Sequence, residues 1–498
     1  PGKRIYFLSR LESRPETEHY ITDNIELIYY CFQEYSSNSY TFNRSRLHRG
    51  YCVSIRCPSS ERNASLRFER CVDERMRRHA LSARLRTLQY CTTQKQHQQT
   101  AEQPPDAAQQ LFLQVVSALI VLNLVGTVYD VAFDVSENGI LMAWSVRASW
   151  RRLTCFQFTV NLSSFYLFQL SFRTDGVLLA NGTSLIQLFV MISTFLTAYN
   201  LLLYSQTRKL SFLMLPVLLL KRMIRFTPVH LLLVGYAATW WPYARSGALS
   251  AVIGEKIAIC RRKFWTHAFF LNNVIEKHDT CFGPTWFLSV DMHLYIVACV
   301  FTIIMSRRRN QALRLYVILF IISGLFCGVV NYITEWKALI YFSVPEKIRG
   351  IFRSEESFGG FYTSSWGSLT ACFLGLFTAH LHYELQEKKH DCNGNKVRLI
   401  ALCVILFFLL FGVLNIEGTQ RRFLGSRGWR VMARLSLPVM LVHWLVSVVI
   451  CARPTAYHTS VFDISVDYLA TVFYSYVIAV PIALLLEIPV QRFFSQFI

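Results

Sequence analysis

From Leu111 onward the chain alternates apolar stretches with short polar, mostly basic connectors. The stretches lie near the ~20 residues that carry a helix across a bilayer. In order they are Leu111–Tyr129, Cys155–Leu170, Ser184–Tyr204, Phe226–Tyr243, Thr285–Met305, Leu313–Tyr332, Trp366–Leu385, Leu399–Asn415, Leu435–Cys451 and Tyr468–Ile488. Each is predicted to be helical, because lipid offers no partner for the backbone groups of an open sheet edge. Ahead of Leu111 the pattern changes. Residues 1–91 are polar and contain Cys31, Cys52, Cys57, Cys71 and Cys91, and residues 92–110 (TTQKQHQQTAEQPPDAAQQ) form a Gln-rich tether too poor in apolar side chains to pack. The expected architecture is an all-α polytopic transmembrane helix bundle of about ten spans over 111–498. A small Cys-containing N-terminal lumenal or extracellular domain (1–91) and a linker (92–110) precede it.

Composition supports this reading. The chain is 53% hydrophobic and only 16% charged, with a mean hydropathy of +0.31, too apolar for an ordinary soluble enzyme. Its net charge of +20 is spread between the apolar runs and does not gather on one face, which argues against nucleic acid as a partner. Basic connectors mark the cytoplasmic side of a span. With the Cys-rich region lumenal, the connectors holding Arg147, Arg151 and Arg152, then Arg208, Lys209, Lys221, Arg222 and Arg225, then Arg307 to Arg309, then Lys388, Lys389, Lys396 and Arg398 all fall in the cytoplasm. The alternation fails once, at Gln420–Arg434, where five arginines occupy a connector that should be lumenal. Either Leu399–Asn415 turns back without crossing, or a helix is missing there.

Sequons at Asn43, Asn63 and Asn181 suit a glycosylating lumen, as do the cysteines of 1–91. The opening PGKRIYFLSR shows neither an apolar core nor a small-residue cleavage site, so an N-terminal segment is expected to precede it. Five cysteines leave one without a partner inside 1–91, and partners for Cys52 and Cys57 are not assignable from sequence. Cys260 and Cys281 flank a connector that the alternation places in the lumen. They are expected to be disulfide-bonded, the alternative being two unpaired thiols.

Ionisable side chains inside apolar spans are costly and so mark candidate chemistry. Asp291, in TWFLSVDMHLYIVACV, has Trp286, Ser289 and His293 within two turns. Its bland reading is a carboxylate that hydrogen-bonds a neighbouring helix. Arg222 and Arg225, three apart in KRMIRFTPVHLLLVGY, share one helix face and make a two-guanidinium clamp suited to phosphate oxygens, or else a positive-inside anchor. His230 and His443 are the intramembrane imidazoles, able to accept a hydroxyl proton and return it to a leaving group, or to serve as structural donors. His380 and His382 lie nearer a span end, and Glu487 closes the last span, with Arg492 as its ion-pair candidate. No phosphate loop, dinucleotide fingerprint, HExxH or CxxC occurs, and no resident cofactor or metal is expected.

These motifs together resemble the nose-resistant-to-fluoxetine branch of the acyltransferase 3 family, found in insects and nematodes. The likeness rests on RGYCVSIRCPSS, NGTSLIQLFVMISTFLTAYNLL, KRMIRFTPVHLL, the block from Cys260 through TWFLSVDMHLYI, MARLSLPVMLVH and the closing Glu487-Ile488-Pro489. The resemblance implies a membrane-bound transferase that moves an acyl group from acyl-CoA to a hydroxyl of a lipid, sugar or other acceptor. On that reading Arg222 and Arg225 hold donor phosphates, Asp291 and His443 sit in or beside the membrane cavity, and membrane lipid is a partner. Two departures stand out. The family's first core helix ends in a histidine held to be the catalytic base, whereas RRLTCFQFTVNLSSFYLFQL has none, and no histidine occurs between His97 and His230. A helix of the family also falls out near 415–423. His230 or His443 substitutes for the missing base, or the chain is a catalytically silent member that binds or moves lipids or hydrophobic drugs.

Overall fold

The computed structural model describes residues 5–15, 46–52, 63–77, 81–93, 104–133, 140–153, 182–241, 250–336, 356–387, 432, 434–451 and 461–497. The stretches Cys155–Leu170 and Leu399–Asn415, the segment near 415–423, Cys57, Asn43 and Asn181 lie outside these residues.

The N-terminal region corrects the all-α expectation. β1 (Ile5–Pro15) is the centre of a three-stranded antiparallel sheet, flanked by β2 (Arg46–Cys52) and β3 (Leu81–Thr93), with α1 (Ala64–Arg77) between β2 and β3. The argument against strands holds only inside lipid; ahead of the spans, sheet edges can meet water. In β3 the apolar positions run Leu81, Ala83, Leu85 and then change phase to Leu88 and Tyr90. The pairing with β1 slips by one residue twice, opposite Arg10 and Leu11 near the change of phase and again opposite Leu8 and Ser9, as bulges require. Asn63 is exposed and caps α1, its Oδ1 accepting from the Ser65 N–H at 3.0 Å.

Among the described residues five helical segments are long and apolar enough to cross a membrane: Ala107–Ala132, Ile186–Ser205, Thr285–Met305, Gln311–Ile333 and Val466–Phe494. The first belongs to α2 (Ala107–Phe133). Its start is written in the sequence: Asp106 Oδ1 accepts from the Gln109 N–H and Gln109 Oε1 accepts from the Asp106 N–H, both at 2.8 Å, a reciprocal cap following two prolines. Leu111, Val121, Leu124 and Val128 of α2 are exposed, a display that water would penalise and lipid does not. α3 (Val146–Leu153) follows, then α4 (Gly182–Ser205) and α5 (Leu215–Thr239). α5 starts well before the predicted Phe226 and takes Lys221, Arg222 and Arg225 into its first half. α6 (Ser250–Arg262) and α7 (Phe264–Ala268) lead to α8 (Thr285–Met305) and α9 (Arg309–Ile333). α10 (Leu369–Glu387), α11 (Ser436–Cys451) and α12 (Val461–Ile482) complete the long helices. A π-turn, Ala483–Glu487, then runs into α13 (Ile488–Phe494).

Two apolar clusters organise the bundle. One gathers α5, the connector before α8, and α11 around Val234, Trp241, Phe282, Met292 and Leu441; the other gathers α4, α8, α9 and α10 around Val290, Leu294, Tyr316 and Leu376. α4 and α10 approach so closely at Gly375 that a Cβ there would lie 2.1 Å from Thr194 Oγ1 and 2.5 Å from the Met191 carbonyl oxygen. Small residues allow such approaches between membrane helices.

The connector ahead of α8 is tied down polar group by polar group. Cys260 and Cys281 are joined by a disulfide, their Cα atoms 4.6 Å apart. Lys263, almost wholly buried, donates from Nζ to the carbonyl oxygens of Asn272 (3.0 Å), Glu276 (2.9 Å) and Asp279 (2.8 Å), which uses all three ammonium protons. Arg261 pairs with Asp106 at 2.7 Å and donates from Nε to the Ala238 carbonyl at 2.8 Å, while Gln109 Nε2 donates to the Thr239 carbonyl. The start of α2, the end of α5 and the end of α6 are thereby held together.

Candidate functional site

α5 and α8 run antiparallel. Tyr295 donates to the Leu218 carbonyl at 3.4 Å, and four residues away in opposite directions Arg222 meets Asp291. The second contact is an ion pair: Arg222 Nη2 lies 2.5 Å from Asp291 Oδ2, and both side chains are largely buried. Ser193 of α4 completes it, donating to Asp291 Oδ1 at 2.7 Å and accepting from Arg222 Nη2 at 2.7 Å. The guanidinium also lies 4.4 Å from the Tyr295 ring centroid and 4.9 Å from that of Phe226. Each oxygen of Asp291 is therefore engaged, and three helices meet at one buried charge pair. Sequence reading named Asp291 and Arg222 but missed Ser193; the adjacent Ser193-Thr194 in an otherwise apolar span was the available signal.

Arg222 and Arg225 do not act as one fork. Arg222 turns to Asp291, whereas Arg225 lines a cavity of about 710 Å³ with Lys221, Arg434, Arg492, Glu487 and Gln491. A three-residue spacing puts two side chains on one face, but their length lets each reach a different partner. The cavity wall is shaped by prolines. Pro489 has no N–H to give the Leu485 carbonyl, and Asn123 Nδ2 of α2 donates to that oxygen at 2.8 Å instead. The π-turn next to it carries Glu487, whose Oε1 accepts from Gln491 Nε2 at 3.3 Å. Pro228 likewise cannot donate to the carbonyl of Ile224, another wall residue. Four cationic side chains thus surround one carboxylate in a hollow of ligand size.

The two intramembrane histidines go elsewhere. His230 is fully buried, its ring 5.2 Å from that of His267 and stacked 5.7 Å from Phe270, and neither of its ring nitrogens has a hydrogen-bond partner among the described residues. His443 is exposed, with Nδ1 3.2 Å from the Val439 carbonyl of its own helix. Neither is brought to the Arg222–Asp291 pair or the cavity wall by a described contact. Outside the spans, burial pulls Lys263 down to about 8.

A further polar layer, unforeseen from the sequence, lies where α8 and the start of α10 meet the connector after α7. His293 Nδ1 is 2.7 Å from Ser365 Oγ, Asn273 Nδ2 donates to Ser365 Oγ at 3.3 Å and to the Thr363 carbonyl at 3.2 Å, and Ser289 donates to Asn272 Oδ1. Among the described residues no group of three or more acidic, histidine or cysteine side chains is arranged to hold a metal ion.

The chain is similar to nose resistant to fluoxetine protein 6 of Caenorhabditis elegans, at 21% identity over 208 residues. The match covers 40% of this chain and 25% of the relative, so the chain spans about a quarter of the curated relative it matches. No family model matches. No solved structure matches.

Proposed function

We propose that this integral membrane protein is an acyltransferase that takes an acyl group from acyl-CoA and passes it to a hydroxyl of a lipid, sugar or other acceptor, with the N-terminal domain in the lumen or outside the cell. The observation that carries the reading is the cavity in which Lys221, Arg225, Arg434 and Arg492 face Glu487. Guanidinium groups grip phosphate oxygens bidentately, and the phosphates of a coenzyme A thioester are the anions such a lining suits. Arg225, not Arg222, then contacts the donor. Arg222, Asp291 and Ser193 serve as positioning residues: the pair fixes the first half of α5 against α8 and α4, and so fixes where Arg225 points. The long apolar helices support the membrane setting.

The test uses the whole chain in nanodiscs with labelled acyl-CoA and membrane extract. Transfer is expected, with Arg225→Ala raising the donor KM by about tenfold, the loss of roughly 1.4 kcal/mol of charge-assisted contact. Absence of both transfer and acyl-CoA binding in the folded protein overturns the enzyme reading. A second reading, a silent member that moves lipids or hydrophobic drugs, is favoured by the exposure of His443 and the enclosure of His230. It predicts lipid or drug uptake that is insensitive to His443→Ala.

A further inference from the structure

We propose that Ser365 and His293 form a second reactive centre, a nucleophile and its base, that carries an acyl group as an ester on Ser365. The hydrogen bonds bring the atoms together. Asn273 Nδ2 donates to the Thr363 carbonyl, which can only accept, so the amide orientation is set and the same nitrogen donates to Ser365 Oγ. With that lone pair occupied, the Ser365 hydroxyl proton is free to point at His293 Nδ1, 2.7 Å away. In the tautomer with its proton on Nε2, His293 accepts that hydroxyl proton at Nδ1 and can serve as the base. A serine hydroxyl bonded to an imidazole is the core of the general arrangement of nucleophilic catalysis.

The placement fits an apolar acyl donor. Asn273 and Thr363 are buried, while Ser365 and His293 are only partly so. Two turns earlier on α8, Trp286 packs against Tyr362 with ring centroids 5.0 Å apart. His293 is two positions on from Asp291, so on α8 they lie on opposite faces, and the dyad is separate from the ion pair.

The reaction needs no redox partner. Ser365 Oγ attacks the carbonyl carbon of a thioester or ester; the new C–O bond forms as the C–S or C–O bond to the leaving group breaks. The serine proton passes to His293 Nδ1 and on to the leaving thiolate or alkoxide. In the second half an acceptor hydroxyl, or water, gives its proton to His293 and bonds to the carbonyl carbon, and Ser365 leaves and recovers its proton. Only the origin of the acyl group as acyl-CoA rests on the function proposed above.

The test is labelling of the full chain, in detergent and in nanodiscs, with a long-chain alkyl fluorophosphonate, and mapping of the adduct by mass spectrometry. Ser365 is expected to carry the adduct, with labelling abolished in Ser365→Ala and slowed at least tenfold in His293→Gln. Asn273→Ala is expected to slow it less, with the size-exclusion profile retained. A folded wild-type chain that is unlabelled, or labelled elsewhere with Ser365 untouched, overturns the proposal. Acyl-CoA-dependent transfer that survives in Ser365→Ala also overturns it, while leaving the acyltransferase reading in place. Labelling of Ser365 without any acyl-CoA transfer or binding supports the dyad and removes that reading.

Discussion

Removing the Arg222–Asp291 pair whole should cost no more than breaking it from one side. The 2.5 Å contact lies between side chains that are 15% and 8% exposed, so losing one partner strands a charge in a poorly solvated place, at a cost of about 3–5 kcal/mol. Asp291→Asn belongs at the lower end, about 3 kcal/mol, because the guanidinium keeps Ser193 Oγ and the faces of Phe226 and Tyr295. Arg222→Met leaves the carboxylate with Ser193 alone. In the double variant Asp291→Asn with Arg222→Met no charge is stranded. Its loss should be close to that of one single variant, a coupling of about 3 kcal/mol or roughly a hundredfold in the folding equilibrium. The measurement is a double-mutant cycle read by denaturant unfolding of the four purified proteins in micelles. Losses that add to within about 0.5 kcal/mol would refute the claim that the two charges hold each other in place.

Gly375→Ala should destabilise by about 1–3 kcal/mol, because its Cβ meets the Met191 carbonyl as well as Thr194; adding Thr194→Ala should restore only part of the loss in thermal melts. Lys263→Met leaves three carbonyls of the connector without their donor and should cost about 3 kcal/mol, with faster amide exchange across residues 272–279 as the local signature; Lys263→Arg should fail to rescue, since a planar fork cannot reproduce three ammonium bonds. The Gln109 N–H and the Arg261 guanidinium hold the Asp106 carboxyl below its ordinary 3.8. The cap's contribution is therefore complete above that value and lost as pH falls through the lower, folded one, seen as faster exchange in the first turn of α2; Asp106→Asn should abolish this pH dependence.

Much of the scaffold was legible in the sequence. Thr285–Met305 is bounded as the apolar run predicts, because a span is defined by the transfer cost of its own side chains, a local property. The charge at Asp291 inside an apolar run is local in the same way. The ends of α5 were not, since its early turns carry cations that hydropathy reads as connector. The sheet ahead of the spans was hidden because its strands pair across long intervals of chain and one of them changes phase at a bulge. Only the tertiary structure decided the partners. Residue spacing puts Arg222 beside Arg225, yet three-dimensional packing sends one to Asp291 on another helix and the other into a cavity walled by residues more than 200 positions away. His443 and His230 looked alike as lone imidazoles in apolar runs, and packing exposed one and enclosed the other. Ser365, Asn273 and His293 carry no shared motif. Their meeting follows from where α8, α10 and the connector cross, and a sequence encodes such crossings only through the sum of many contacts.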